Sequence, residues 1–479
     1  MRKKLFSSIL LFLLLNILIK PFWILGIDVN VQNAVGAEEF GLYYAIFNFA
    51  FIFNILLDLG VTNFNTRNIA QHNHLISKHL SGILSIKLLL FVVFLAVTFL
   101  VGLIIGYNSR QFFLLAWMCL NQFLNSLILY LRSNFAGLLM FKTDSLLSVL
   151  DRLLMIIFCG LLLWGNITDK PFRIEWFIAS QTLSYIITAA IALTALVHKT
   201  KIRKLTLNIP FSIAIIKKSL PFALLVLLMA SYNRIDPIML ERLLPNGNTA
   251  AGISAGAYRL LDALVMLAYL VSVPLLPIYA KMIKEKESVE AITKMVFVAV
   301  FALTAAVAIT LSVRSADIMQ LLYTSHTEQS AHTFSILIFG FVPISVTYVF
   351  GTLLTANNSL KQLNILSAIT LGINIAINIL LIPRFAEIGS AWASLVAQSF
   401  VAIAQMIAAF RIFKFKTDLI LFAKLAIYIA AIVATNLAML HCEANWIVHI
   451  AVVGIATPAL LFALQLFTIK DIAAIVKEK

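Results

Sequence analysis

The chain has 479 residues, of which 62% are hydrophobic and only 12% charged, and its mean hydropathy is +0.99. Soluble globular domains are much less apolar, so we expect an integral membrane protein. The formal net charge of +15 does not indicate nucleic-acid binding, because the basic residues gather between apolar stretches, where they meet the anionic inner leaflet.

Apolar stretches follow one another along the whole chain. About 20 apolar residues in a helix cross a bilayer, and helices are required because lipid offers the backbone no hydrogen-bond partners. We therefore predict an all-α integral membrane protein with about fourteen transmembrane helices. The predicted spans are residues 6–28, 41–62, 82–106, 111–138, 145–166, 173–197, 214–241, 251–280, 290–312, 331–355, 360–382, 387–410, 417–440 and 446–468.

The first predicted span follows a basic start, as a cleaved signal peptide also would. Lys20 and Pro21 interrupt its apolar run well before the small residues of Val35–Glu39, where cleavage would have to occur. We therefore interpret this segment as the first transmembrane helix.

Most of the 36 Lys and Arg residues lie at one set of span ends. The positive-inside rule assigns those ends to the cytoplasm, together with both termini. The longest connection, which begins at residue 199, is strongly basic and is expected on the cytoplasmic surface.

That basic connection divides the chain into two predicted lobes. The boundaries are an N-terminal membrane lobe at 1–198, a basic cytoplasmic connection at 199–213, a C-terminal membrane lobe at 214–410, and two appended helices with a tail at 411–479. A short internal echo, Gly41-Leu42-Tyr43 against Gly256-Ala257-Tyr258, is consistent with two six-helix lobes related by a repeat.

Several charged residues fall inside the predicted spans. A charge at the centre of a bilayer costs about 2.5–3.5 kcal/mol on insertion scales, so such residues usually face a bundle interior or a wet cavity. The candidate cavity cations are Arg234, Arg259 and Lys20, and the candidate ion-coupling acids are Asp58, Asp236 and Asp262.

Each of these residues also has a structural interpretation. Arg259 and Asp262 are three residues apart on a helix and can neutralise each other. Asp58 has no arginine within a helical turn, which favours it as the coupling acid, although it could also cap the chain before Gly60. We expect four further charged residues to extend toward the cytoplasmic surface from nearby span ends, namely Lys87, Arg132, Asp151 and Arg152.

Prolines cluster in the predicted spans of the second lobe. Each removes a helical hydrogen bond and favours a kink, although membrane helices also tolerate proline. The candidates for bent, cavity-lining helices are Pro221, Pro237, Pro274, Pro277 and Pro343.

No motif in the chain indicates catalysis or a cofactor. The Gly-x-Ser-x-Gly match at Gly252–Gly256 lies at the start of a predicted membrane helix and lacks the preceding strand of a nucleophile elbow. His72, His74 and His79 share one loop without completing a metal site, and a nucleotide-binding P-loop is absent from the sequence. The three cysteines have no motif spacing. We therefore expect a secondary transporter rather than an enzyme, with no metal or cofactor.

Two segments resemble the polysaccharide flippase (Wzx) family of the multidrug/oligosaccharidyl-lipid/polysaccharide (MOP) exporter superfamily. In Val35–Gln71 the resemblance rests on Gly41 and Tyr43 entering a span, Asp58-Leu59-Gly60 leaving it, and Arg67 soon after. In Gly351–Gln398 it rests on an Asn-rich helix, a Leu-Ile-Pro stop and a Gly-Ser restart. The run from Arg234 to Leu240 also fits, whereas the sequence from Arg384 to Glu387 departs from the family's Tyr-Gly pair.

The resemblance implies a flippase that moves undecaprenyl-pyrophosphate-linked oligosaccharide across the cytoplasmic (inner) membrane of a bacterium for surface polysaccharide synthesis. Its expected partners are the lipid-linked oligosaccharide, membrane lipids, a proton or sodium ion, and a polysaccharide polymerase. Alternatives within the superfamily are a lipid II flippase and a drug/cation antiporter. An alternative of another class is a membrane-embedded sugar polymerase or ligase, which would need a larger outside loop than this sequence offers.

Overall fold

The computed structural model describes residues 15–16, 18–19, 21–62, 65, 69, 76–138, 140–165, 167, 169–200, 209–442 and 445–466. Regular structure in these residues is entirely helical. The predicted all-α architecture is therefore confirmed, and it follows from the need to satisfy backbone hydrogen bonds within each segment.

The helices are numbered in chain order. A π-helical turn at Trp23–Asp28 precedes α1, and a 3-10 turn at Phe53–Leu57 follows it. The helices are α1 (Val29–Ile52), α2 (Ile76–Ile105), α3 (Ser109–Gly137), α4 (Phe141–Trp164), α5 (Ile174–Thr200), α6 (Ile209–Arg234), α7 (Asp236–Leu243), α8 (Gly247–Lys284), α9 (Glu290–Val313), α10 (Ser315–Leu322), α11 (Thr327–Leu337), α12 (Phe341–Ala356), α13 (Leu360–Phe413), α14 (Leu419–His441) and α15 (Trp446–Ala463).

Most of the predicted membrane spans are confirmed by helix length and hydropathy, whereas the first, 6–28, lies largely outside the described residues. Among the described residues, 11 helices are long and apolar enough to cross a membrane, and a bent pair brings the number to 12. The predicted span 82–106 corresponds to Gly82–Ile105, and the predicted span 290–312 corresponds to Glu290–Val313.

Helix α13 contains two predicted spans. Its 54 residues are interrupted at Ala386, which has a φ of 48° and a ψ of −127°. The interruption follows Pro383 and lies between the predicted spans 360–382 and 387–410. The sequence therefore located this break correctly, since proline cannot donate the hydrogen bond that would continue the helix.

The described chain divides into two compact units, Met1–Gly252 and Ile253–Lys479. The division falls inside α8, whose first residues pack with the N-terminal unit. The lobe boundaries expected from the sequence lie elsewhere and stay predictions.

Each unit has its own apolar core. In the N-terminal unit, Tyr130, Leu131 and Phe135 of α3 pack with Leu80 of α2 and Leu196 of α5. In the C-terminal unit, Ala302 and Ala306 of α9 pack with Tyr428 and Ile432 of α14 and Val453 of α15. The two appended helices predicted from the sequence are thus part of the core of the C-terminal unit.

Two glycines permit a close helix crossing within the N-terminal unit. A Cβ atom at Gly41 would lie 1.8 Å from the carbonyl oxygen of Asn248, and one at Gly252 would lie 1.9 Å from that of Ala37. Gln32 also donates a hydrogen bond of 2.9 Å to the Gly252 carbonyl. The crossing therefore requires glycine at both positions, as close helix packing in membranes generally favours.

Candidate functional site

Asp58 lies where the chain leaves the 3-10 turn that follows α1. The next two residues, Leu59 and Gly60, have positive φ angles of 43° and 82°. The Asp58 carboxylate accepts a hydrogen bond of 2.6 Å from Lys87 Nζ and another from the Thr62 hydroxyl. Asp58 therefore stabilises the break in the helix, as the capping interpretation expected.

Lys87 approaches Asp58 from α2. Its ammonium also donates to the Leu57 carbonyl at 3.0 Å and to the Ser126 hydroxyl at 2.8 Å, and its side chain is only 1% exposed. The expectation that Lys87 extends to the membrane surface is wrong, because three oxygen acceptors hold it inside the bundle.

This ion pair also removes the reason for preferring Asp58 as the coupling acid. The preference for Asp58 rests on the lack of an arginine within a helical turn, but its partner is a lysine of the next helix, 29 residues further along the chain. The premise that Asp58 has no cationic partner is therefore wrong, and its role as a coupling acid stays a prediction.

Arg152 and its neighbour Asp151 lie near the middle of α4. The Arg152 guanidinium lies 5.6 Å from the ring centre of Trp23 and 5.8 Å from that of Tyr185. Its Nε atom is 3.7 Å from a carboxylate oxygen of Asp151, which is buried. The expectation that these two residues extend to the surface is wrong, because aromatic side chains of the N-terminal unit hold Arg152.

Arg132 lies near the C-terminal end of α3. Its Nε atom donates a hydrogen bond of 2.8 Å to Asp144, in the first turn of α4. Arg132 therefore connects two helices through a half-buried ion pair instead of extending freely to the surface.

The predicted span 214–241 is broken at its charged residues. Helix α6 ends at Arg234, α7 begins at Asp236, and the segments Phe222–Arg234 and Asp236–Leu243 meet at 49°. Pro237 lies in the first turn of α7, where its missing N–H costs no helical hydrogen bond. The kink expected at Pro237 is confirmed, whereas Pro274 and Pro277 lie inside the continuous helix α8.

The break brings Arg234 and Asp236 into the interior of the N-terminal unit. The Arg234 guanidinium lies 5.5 Å from the centre of the Phe51 ring. Asp236 is fully buried, and both charged residues make further electrostatic or hydrogen-bonding contacts. A guanidinium near an aromatic ring is stabilised in low dielectric by about 0.5–2 kcal/mol.

Arg259 and Asp262 belong to the C-terminal unit. Arg259 is half-buried on α8 and interacts electrostatically with both Asp262 and Tyr323. Burial raises the pKa of Tyr323, which follows α10, to about 12, while the charge of Arg259 lowers it. The Tyr323 hydroxyl donates a hydrogen bond of 3.4 Å to the Gly256 carbonyl. The local interaction with Asp262 is therefore present, and substrate contact by Arg259 stays a prediction.

Three residues singled out in the sequence analysis lie outside the part of the chain that the structure describes. Lys20, the third candidate cation, lies outside the described residues, as do His72 and His74. Within the part of the chain that the structure describes, no group of three His, Cys, Asp or Glu side chains could hold a metal ion.

A charged cluster that the sequence analysis did not identify lies in the N-terminal unit. Arg110, at the start of α3, forms ion pairs with Glu39 of α1 and Glu175 of α5. These residues and Arg173 line a cavity of about 350 Å³. The three helices contribute residues that are far apart in sequence, so no local pattern indicated their contact.

Comparison with known proteins identifies the fold and family. Residues 6–283 match the family model described as "Polysaccharide biosynthesis protein". No curated protein matches the sequence.

Solved membrane transporters share the fold at low sequence identity. The lipid II flippase MurJ in an inward closed conformation is 14% identical, with a TM-score of 0.71 over 94% of this chain and 98% of that chain. An inward-facing multidrug resistance MATE-family transporter of the MOP superfamily is 12% identical, with a TM-score of 0.64 over 81% and 93%. A MOP-superfamily transporter from Pyrococcus furiosus is 13% identical, with a TM-score of 0.60 over 85% and 94%.

Proposed function

The chain belongs to the polysaccharide biosynthesis protein family, and from this membership we propose that it is a flippase for undecaprenyl-pyrophosphate-linked oligosaccharide. It moves the lipid-linked sugar across the cytoplasmic membrane of a bacterium by alternating access, with both termini in the cytoplasm. The family match carries this proposal, and the fold shared with MurJ and MATE transporters supports transport rather than catalysis.

The cargo sets three physical requirements. An unpaired hydroxyl costs about 4–8 kcal/mol in an alkane-like medium, so an oligosaccharide needs a polar path. A pyrophosphate needs cations, whereas the isoprenoid tail is already soluble in the bilayer. Half-buried arginines within apolar helices meet the second requirement, because a guanidinium binds phosphate oxygens in a bidentate manner.

The proposed cargo-binding cations are Arg234, Arg259 and Lys20. Two of them have a supporting environment in the structure, since Arg234 lies at a helix break and Arg259 lies beside Tyr323. Asp58, Asp236 and Asp262 are the candidate acids for coupling to a proton or sodium gradient. Two of them have a cationic partner, since Lys87 pairs with Asp58 and Arg259 interacts with Asp262.

The test is export of the surface polysaccharide in a strain that lacks the gene. The deletion should accumulate lipid-linked glycan on the cytoplasmic side, and the wild-type gene should restore export. Arg234→Gln and Arg259→Gln should fail to restore it, and Arg234→Lys should be impaired because an ammonium lacks the planar fork.

Arg411→Gln is the matched control, because Arg411 is exposed at the end of α13. It should restore export fully, at the same protein level in the membrane. Accumulation of lipid II instead of a lipid-linked glycan would identify a lipid II flippase. No accumulated lipid-linked sugar of either kind would refute a flippase function.

A further inference from the structure

Arg152 has spare hydrogen-bonding capacity near the middle of a membrane helix. The side chains of Leu153, Ile157 and Leu161 form the exposed ridge of α4. Five residues correspond to about 140° of rotation around a helix, so Arg152 points away from Ile157 and from this lipid-facing ridge. Its side chain nevertheless remains 26% exposed.

Aromatic rings position the guanidinium without using up its donors. Trp23 and Tyr185 lie on it and are themselves 6% and 4% exposed. Trp23 is held in turn by stacking on Phe177, with ring centres 5.8 Å apart. The rings limit the orientations of Arg152, so its side chain loses less conformational entropy when a ligand binds.

The polar contacts of Arg152 are few and weak. Its Nη1 atom lies 3.4 Å from the Met155 sulfur, its Nε atom lies 3.7 Å from Asp151, and its guanidinium interacts electrostatically with Tyr185. A thioether is a weak acceptor, and a guanidinium has five N–H donors. Most of the donor capacity of Arg152 is therefore available.

Two other cations of the same unit show the contrast. Lys87 has three oxygen acceptors within 3.0 Å and is 1% exposed. Arg132 forms a 2.8 Å hydrogen bond with Asp144. Each of these two cations has a carboxylate at hydrogen-bonding distance, whereas the nearest carboxylate oxygen to Arg152, from Asp151, is 3.7 Å away. The exposed part of Arg152 therefore requires water or an anion at this depth in the membrane.

We propose that Arg152, held between Trp23 and Tyr185, is an additional cargo-binding residue that binds a phosphate group of the lipid-linked substrate. This inference rests on the proposed function and adds a contact within the N-terminal unit. The recognised chemistry is a phosphate oxyanion, bound by the bidentate fork of the guanidinium.

The test measures binding of inorganic pyrophosphate to the purified full chain in uncharged detergent at about 0.15 M salt, where long-range attraction to the basic surface is screened. Arg152→Gln should weaken binding about 10-fold to 150-fold, because a hydrogen bond to a charged group contributes about 1.5–3 kcal/mol. Arg152→Lys should bind with intermediate affinity. Arg132→Gln is the matched control and should bind like the wild type.

A second measurement does not depend on changing Arg152. Because Trp23 lies against the guanidinium, pyrophosphate should change the tryptophan emission of the wild type, and Trp23→Phe should remove that change although five of the six tryptophans remain. Wild-type affinity in Arg152→Gln, or an emission change that persists in Trp23→Phe, would overturn the assignment.

Two further experiments distinguish a lipid-headgroup site from a cargo site, and failure of this inference from failure of the proposed function. Competition by phosphatidylglycerol, but not phosphatidylcholine, at equal strength to pyrophosphate would show a lipid-headgroup site and overturn the cargo assignment. Polysaccharide export that requires the gene but is unaffected by Arg152→Gln would overturn this inference while the flippase function stands. Tight, Arg152-dependent pyrophosphate binding in a protein whose deletion accumulates no lipid-linked sugar would refute the flippase instead.

Discussion

The ion pair between Lys87 and Asp58 should be a major stabilising contact of the N-terminal unit, and a double-mutant cycle measures it. Lys87→Met removes the bonds to the Leu57 carbonyl, the Asp58 carboxylate and the Ser126 hydroxyl. Breaking a buried ion pair costs about 3–5 kcal/mol. Asp58 is 24% exposed, so water solvates part of the stranded carboxylate, and we expect a loss of about 3 kcal/mol.

The reverse substitution should cost more. Asp58→Asn leaves the ammonium of Lys87, which is 1% exposed, without its carboxylate. The remaining carbonyl and hydroxyl acceptors do not neutralise its charge, so we expect a loss of about 4 kcal/mol. The double variant Asp58→Asn/Lys87→Met leaves no charge without a partner. Its loss of unfolding free energy should therefore be about 2–3 kcal/mol smaller than the sum of the two single losses.

The assay is the free energy of unfolding of the purified protein in mixed micelles, obtained by titration with a denaturing detergent. Arg132→Met and Asp144→Asn provide a second cycle around an ion pair that is more exposed, with side-chain exposures of 18% and 19%. Its coupling energy should be smaller. Single losses that add within about 0.5 kcal/mol in the Lys87–Asp58 cycle would refute the argument that this pair acts as a unit.

Three other predictions concern topology and packing. Reporter fusions after Lys204 and after Lys479 should both signal cytoplasm, because the basic connections set orientation, and a periplasmic signal from either would contradict the fourteen-span topology. Gly41→Ala should lower the thermal midpoint and the membrane yield, because its methyl group would lie 1.8 Å from a carbonyl oxygen of the facing helix; a midpoint equal to the wild type would show that the helices are not so close. Tyr428→Phe should cost about 1 kcal/mol in unfolding free energy, because its hydroxyl donates a 3.1 Å bond to the buried Ala302 carbonyl, and a value near zero would argue against that bond.

Most of the fold could be predicted because its main cause is local. The hydropathy of a 20-residue stretch decides whether it enters the bilayer, and the backbone then has to be helical. The break near Pro383 and the bend near Pro237 were also predictable, because proline acts on its own helix.

The charged residues show where prediction from the sequence failed. The sequence predicts that Arg234 and Asp236 face the bundle interior, because they stand within an apolar run, and in the structure Asp236 is buried and Arg234 is half-buried. It misjudged Lys87 and Arg152, because their neighbours along the chain do not decide whether they extend to the surface or stay inside.

Hydropathy along the chain is sufficient to predict an all-helical membrane protein and most of its span limits, and the motifs are sufficient to place the flippase family that it resembles. The pairing of Lys87 with Asp58, and the contacts of Trp23 and Tyr185 with Arg152, exist only in the folded protein. Insertion depends on the transfer free energy of each segment by itself, whereas the state of a buried charge depends on the atoms within a few ångströms, which come from helices distant in sequence.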